Sequence, residues 1–179
     1  VLTWQSLPFP TYYASTCGGH TTEAQNSQLD PAHAAGPLSG VPCKYCTTSP
    51  KYRWTKRVAD ADLIAGLKAR GYAVLEPLTA ITVTELGRGG WAKQVGVAYG
   101  TGQAVRTLPG VQFRSAAGLL SHHLLDVRRV DGGFEIDGAG WGHGVGMCQW
   151  GSFEMGKRGF GETDILRSYY PGCSFTRVY

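Results

Sequence analysis

Residues 138–151 read Gly-Ala-Gly-Trp-Gly-His-Gly-Val-Gly-Met-Cys-Gln-Trp-Gly, and six of these fourteen residues are glycine. Glycine reaches positive φ and permits close backbone approach, but it loses more conformational freedom on folding than any other residue. A run this dense needs something against its backbone, either a ligand or another segment of the chain. Between the glycines project side chains of very different kinds, Trp141, His143, Val145 and Met147. Gly140, Gly142 and their neighbours could mimic a nucleotide loop, but no strand-loop-helix unit with a following acidic residue accompanies them.

The flanking sequence carries short periodic segments. Residues 1–16 read as extended, broken by Pro8 and Pro10, with Tyr12–Thr16 a strand entering the turn Cys17-Gly-Gly-His20. Residues 21–50 contain Pro31, Gly36, Pro37, Gly40, Pro42 and Pro50 and read as loop that something must hold in place. A helix is expected over Ala61–Ala69, capped by Asp60, with Leu63, Ile64 and Leu67 inward and Gly71 as its stop. Strands are expected at Leu78–Glu85, Lys93–Tyr99 and Gln103–Thr107, the last two joined by Gly100-Thr-Gly102. A short helix over Gln112–Ala117 precedes strands Leu119–Val130 and Gly133–Asp137, which flank the hairpin turn Asp131-Gly-Gly133. The adjacent His122 and His123 would then point to opposite faces of a strand. Helices follow over Gln149–Lys157 and from a Thr163 cap, where Ile165, Leu166, Tyr169 and Tyr170 share one side, and Ser174–Val178 closes as a strand. This pattern is α+β, with mainly antiparallel strands and a few short helices.

Hydrophobic residues at 42% and charged residues at 17% describe a globular chain, and its 179 residues suffice for one domain with a real core. The net charge of +4 is mild; it suits an anionic polymer such as cell wall, and a globular chain can equally carry it for no reason. No nucleic-acid partner is expected. No run of eighteen apolar residues exists, so no membrane span is expected in this stretch.

Three of the five cysteines cluster with a histidine. Cys17 and His20 form one short chelating pair, Cys43 and Cys46 another, and a loop separates them. Two such pairs are what a tetrahedral structural zinc site needs, with His33 an alternative to His20. The ion would pin the loop-rich subregion at residues 17–50. The other readings of these thiols are a Cys43–Cys46 or Cys17–Cys43 disulfide, or free buried cysteines. Cys148 and Cys173 read as buried thiols or as a disulfide with each other.

The run from Gly140 to Gly151, followed by Phe153-Glu-Met-Gly-Lys-Arg-Gly159 and Ile165-Leu-Arg-Ser-Tyr-Tyr-Pro-Gly172, resembles the signature of the stage II sporulation protein D (SpoIID) family, also called the LytB amidase-enhancer family. Tyr12-Tyr-Ala-Ser-Thr-Cys-Gly-Gly-His-Thr21 is similar to its serine-threonine-cysteine-glycine-glycine motif, and Arg114 in Val111-Gln-Phe-Arg-Ser115 to a third segment. The resemblance spans most of residues 1–179. It implies a SpoIID-like fold with glycine-rich loops around a central cleft, peptidoglycan glycan strands as substrate, lytic transglycosylase chemistry with a 1,6-anhydro product, and an extracytoplasmic cell-envelope location. Its amidase-enhancer members imply a second reading: a non-catalytic peptidoglycan-binding module that stimulates a cell-wall amidase.

Substrate contact is expected from His143, whose glycine neighbours would leave its imidazole open, the other reading being a packed histidine bonded to backbone, and from Gln149, whose amide both donates and accepts toward an N-acetyl group. Ser15 joins them, with Tyr13, Trp141, Tyr12 and Trp150 able to stack on sugar faces. Glycosidic cleavage needs an acid to protonate the leaving oxygen. The family's general acid is a glutamate before the serine-threonine-cysteine-glycine-glycine motif, and none of the sixteen residues before Cys17 is acidic. That glutamate is therefore expected upstream of Val1, and no catalytic residue is assigned within these 179. Glu23, Asp126, Asp131, Glu135, Asp137 and Glu154 read as solvated structural carboxylates.

Overall fold

A computed structural model describes residues 1–33, 36–101 and 104–177. Three short strands come first: β1 (Leu2–Trp4), β2 (Leu7–Pro8) and β3 (Tyr13–Ala14). Among the described residues of 17–50 there is no strand longer than a bridge, and 3-10 turns stand at Ala24–Ser27, Pro31–His33 and Cys46–Thr48. Longer elements follow: β4 (Arg53–Ala59), α1 (Asp60–Lys68), β5 (Leu78–Leu86), β6 (Ala92–Tyr99), β7 (Ala104–Pro109), α2 (Gly110–Ala116), β8 (Leu124–Val130) and β9 (Gly133–Ala139). The last elements are β10 (Met147–Cys148), α3 (Gln149–Lys157), α4 (Glu162–Tyr169) and β11 (Ser174–Phe175).

The architecture is α+β, as expected. Antiparallel sheets β5-β6-β7 and β4-β9-β8 form one half of the molecule, and the small antiparallel sheet β11-β1-β2 belongs to the other. One pair departs from the antiparallel pattern: β3 and β10 run parallel. Two cores match these halves. Leu63, Leu67, Val95, Val97, Phe113, Phe134 and Ile136 fill the first, between the long strands and α1 and α2. Leu2, Phe9, Leu38, Val145, Met155, Tyr169 and Tyr170 fill the second, together with four cysteines.

Several boundaries differ from the sequence reading. Strand β4 was not expected, because Arg53, Lys56 and Arg57 hide the inward alternation of Trp54 and Val58. The expected strand over 119–130 starts only at Leu124. Residues before it leave the sheet so that His122 and His123 can flank the buried Trp91, with ring centroids at 4.7 and 4.9 Å. The two histidines thus share one indole instead of pointing to opposite faces of a strand. Helix α1 is entered from Ala59, with Asp60 as its first residue and not its cap, and α4 is entered from Gly161 before Thr163. The expected strand start at Gln103, the turn at Gly102 and the strand end at Val178 lie outside the described residues.

The Trp91 sandwich predicts acid lability. His122 is fully buried, and burial, with the nearby Arg114, His123 and His143 charges, holds its pKa down at about 3. An unfolded histidine titrates near 6.5, so below that pH the unfolded chain binds more protons and stability falls with acid. The contribution of His122 is complete above about pH 7 and is lost as pH falls from about 6.5 toward 3. About 2 kcal/mol should be gone by pH 5, measured by urea unfolding, and His122→Gln should flatten that part of the profile.

Candidate functional site

The parallel ladder of β3 and β10 pairs Tyr13 with Met147 and Ala14 with Cys148, and Trp150 N–H donates to the Ser15 carbonyl at 3.1 Å. Side chains alternate across a strand. Here Ala14, Thr16 and Cys148 point inward and are buried, while Tyr13, Ser15, Met147 and Gln149 point outward. Ser15 and Gln149 line a hollow of about 340 Å³ whose other walls are Trp150 and Phe153. Phe153 is 58% exposed and sits edge-on to Trp150, with ring centroids 6.2 Å apart. Tyr13, also 58% exposed, lines a second hollow with Met147, Phe9, Leu166 and Tyr170. Trp141 is 47% exposed and bridges Thr16 through backbone hydrogen bonds of 3.1 and 2.7 Å.

The glycine run lies against the chain's own backbone. A Cβ on Gly146, which sits at φ 70°, would stand 2.0 Å from the Tyr12 carbonyl oxygen. A Cβ on Gly144 would stand 2.3 Å from the Trp91 indole. Of the two partners that the sequence left open, a second segment takes this one.

His143 departs from the open presentation its glycine neighbours suggested. It is half-buried, its Nδ1 accepts from Val145 N–H at 3.1 Å, and Tyr12 stands edge-on to it with ring centroids 6.1 Å apart. Burial lowers its pKa, against a backbone hydrogen bond with Tyr13 that raises it. The ring is a neutral imidazole engaged by the backbone beneath the outward row. Gln149, Ser15 and Tyr13 stand on the open face. Sequence reasoning missed Phe153, which sits three residues after Trp150 on the same side of α3, a spacing visible in the sequence.

Beneath that face lie four buried cysteines. The sulfurs of Cys17, Cys43, Cys46 and Cys148 are all within 4.8 Å of one another, with Cys17 and Cys46 at 3.6 Å. Tetrahedral zinc with Zn–S bonds of about 2.3 Å needs sulfurs about 3.8 Å apart, so the group is close to that geometry. An all-sulfur tetrahedral donor set suits zinc or another thiophilic metal. Cys17 N–H and Gly151 N–H point at the Cys148 sulfur from 3.3 and 3.4 Å, the second as the N-cap of α3. Against a hydrogen bond with Cys17 that lowers it, hydrogen bonds with the Cys43 and Cys46 sulfurs and burial push the Cys148 thiol well up. The Cys43 thiol is held far below the ordinary range by hydrogen bonds from the Cys148, Cys17 and Cys46 sulfurs, with the Tyr169 hydroxyl adding to them.

The expected fourth ligand, His20, is not in the group. Its Nδ1 donates to the Thr21 carbonyl at 2.5 Å, and Gly89 packs against its ring. The alternative His33 is paired with Asp30 at 2.8 Å. Cys148 takes the position instead, brought in by β10. This also removes the Cys148–Cys173 disulfide, since Cys148 is part of the thiol group and Cys173 is a free, half-buried thiol outside it.

Among the described residues no carboxylate lines the Ser15–Gln149 hollow. Asp126, Glu135 and Asp137 surround Arg128 on the exposed β8–β9 hairpin. Glu154 differs from the solvated reading: it is 7% exposed and pairs with Lys157 at 3.1 Å. Among the described residues no helix is long and apolar enough to cross a membrane.

No family model matches the chain. Among curated proteins it is 30% identical to stage II sporulation protein D of Bacillus subtilis over 180 aligned residues, covering 99% of this chain and 48% of that protein. It is 30% identical to an uncharacterized protein of Brachyspira hyodysenteriae over 170 residues, 90% of this chain and 42% of that protein. A shorter match, 31% identical over 72 residues, is to the amidase enhancer of Bacillus subtilis and covers 39% of this chain and 10% of that protein. The chain thus spans a little under half the length of the relatives that it matches end to end.

Proposed function

We propose, for a chain that belongs to the stage II sporulation protein D family, that its outward Tyr13–Ser15–Gln149 face binds peptidoglycan glycan strands as part of a lytic transglycosylase. The observation that carries this reading is the Ser15–Gln149 hollow walled by Trp150 and Phe153. A sugar ring combines apolar faces with a rim of hydroxyl and acetamido groups, and this hollow combines ring faces with an amide and a hydroxyl. Trp141 and Tyr13 would extend the stacking surface, while His143 supports the face from below.

Cleavage without water needs one acid, since the sugar's own 6-hydroxyl can attack. The family resemblance assigns that acid to a glutamate N-terminal to this span. The four thiols would hold a structural zinc ion, which supplies coordination that ties Cys17, Cys43 and Cys46 to Cys148. The protein would act in the cell envelope, on the extracytoplasmic side.

Gln149→Ala should weaken binding of peptide-free glycan chains about 10-fold, the loss of roughly one well-placed hydrogen-bonding group, with little change in melting temperature. Isothermal titration calorimetry with purified chains measures this, and unchanged affinity would remove Gln149 from the site. Full-length protein should release 1,6-anhydro-muramyl ends from the same chains. Reducing-end muramic acid would mean hydrolysis. Binding without any cleavage would favour the second reading, a peptidoglycan-binding module that stimulates an amidase, which the amidase-enhancer match supports.

A further inference from the structure

We propose that a thiophilic divalent cation in the four-sulfur centre is the condition for folding of the glycan-binding half, while the long-strand half folds without it. This rests on the reading that the centre takes a metal. The two halves are built very differently. Strands β4 to β9 run six to nine residues, and among the described residues seventeen buried ones form their core. In the other half the strands run two or three residues, and among the described residues four of the twelve buried in its core are the cysteines themselves. A half with so little ladder and so few buried hydrocarbon side chains has little to set against the entropy of ordering its loops. Small domains in that position commonly fold only around a metal.

The cysteines also join the segments that matter. Cys17 follows the segment bearing Tyr13 and Ser15, Cys43 and Cys46 end the loop, and Cys148 precedes Gln149. The Tyr169 hydroxyl reaches the Cys43 sulfur at 3.2 Å, which ties α4 to the same point. Cys148 has two roles there, since its sulfur belongs to the centre and also caps α3, the helix that carries Gln149, Trp150 and Phe153. Deprived of the cation, the centre would release β3, β10 and the start of α3 together, and the hollow with them. Cys148 is therefore a positioning residue for the face above it.

Hydrogen–deuterium exchange on reduced protein, before and after removal of zinc with a chelator, tests this, with native mass spectrometry counting bound ions. Peptides from β1–β3, α3 and α4 should lose about 100-fold of their protection or more, and those from β5–β9 about 3-fold or less. Added zinc should restore the first group, and Cys46→Ser should reproduce the loss without chelator. If zinc binds but its removal leaves protection unchanged, or lowers it equally in both halves, the conditional-folding inference is overturned while the metal reading stands. If no ion is ever bound, both are overturned.

Discussion

On the proposed zinc centre, Cys148→Ser should lower bound metal from about one equivalent per chain to near zero and destabilise the protein by about 4 kcal/mol. For a chain of this size that is a fall in melting temperature of about 8–16 °C. The hydroxyl of serine is a poor soft-metal ligand, and the three remaining thiolates would be left crowded and buried without their cation. It would still accept from Gly151 N–H, so the cap of α3 is retained and the loss reports on the centre. Metal content by mass spectrometry and melting by near-ultraviolet dichroism measure the two effects together. Were the sulfurs an ordinary buried cluster, the same change would cost about 1–2 kcal/mol and no metal would be present to lose. Cys173→Ser is the matched control and should do neither.

Gly146→Ala should destabilise by about 3–5 kcal/mol. Two causes add. The residue sits at φ 70°, where a Cβ costs about 1–2 kcal/mol. That Cβ would also fall 2.0 Å from the Tyr12 carbonyl oxygen, which accepts from Met147 N–H in the β3–β10 ladder, and the backbone would have to move. Gly156→Ala is the comparison: it lies exposed near the end of α3 with open space around it, and alanine should stabilise there by up to about 1 kcal/mol. Chemical denaturation of both variants measures the difference. Because Gly146 sets the spacing of the two strands that carry Tyr13 and Met147, its substitution should weaken glycan binding as well.

Local signals are legible where they decide structure locally. Helix α3 runs from Gln149 to Lys157 as expected, because its periodicity and following glycine are contained within the segment. The β8–β9 hairpin turns at Asp131-Gly132, as its glycines required. Long-range choices were not legible. His20 stands at chelating distance in sequence from Cys17, but a carbonyl next to it satisfies its ring, and Cys148 arrives from the far end of the chain through a parallel pairing that no local pattern announces. The same limit explains the histidine pair: adjacency at 122–123 suggested a strand, and only the position of Trp91 bends that segment to put both rings on one indole. At the glycine run the sequence required a close neighbour without saying which. The tight contacts with Tyr12 and Trp91 identify it, and they leave the exposed face to Tyr13, Ser15 and Gln149.

The chain has two methionines, and they report on opposite sides of the proposed binding face: Met147 lies in its outward row, and Met155 is buried in the core behind it. Nuclear magnetic resonance of methyl-labelled methionine, during titration with peptide-free glycan chains, should move the Met147 signal saturably and leave Met155 in place. A saturable shift confined to Met155, or glycan binding that moves neither methyl, would contradict a sugar polymer held across β3 and β10.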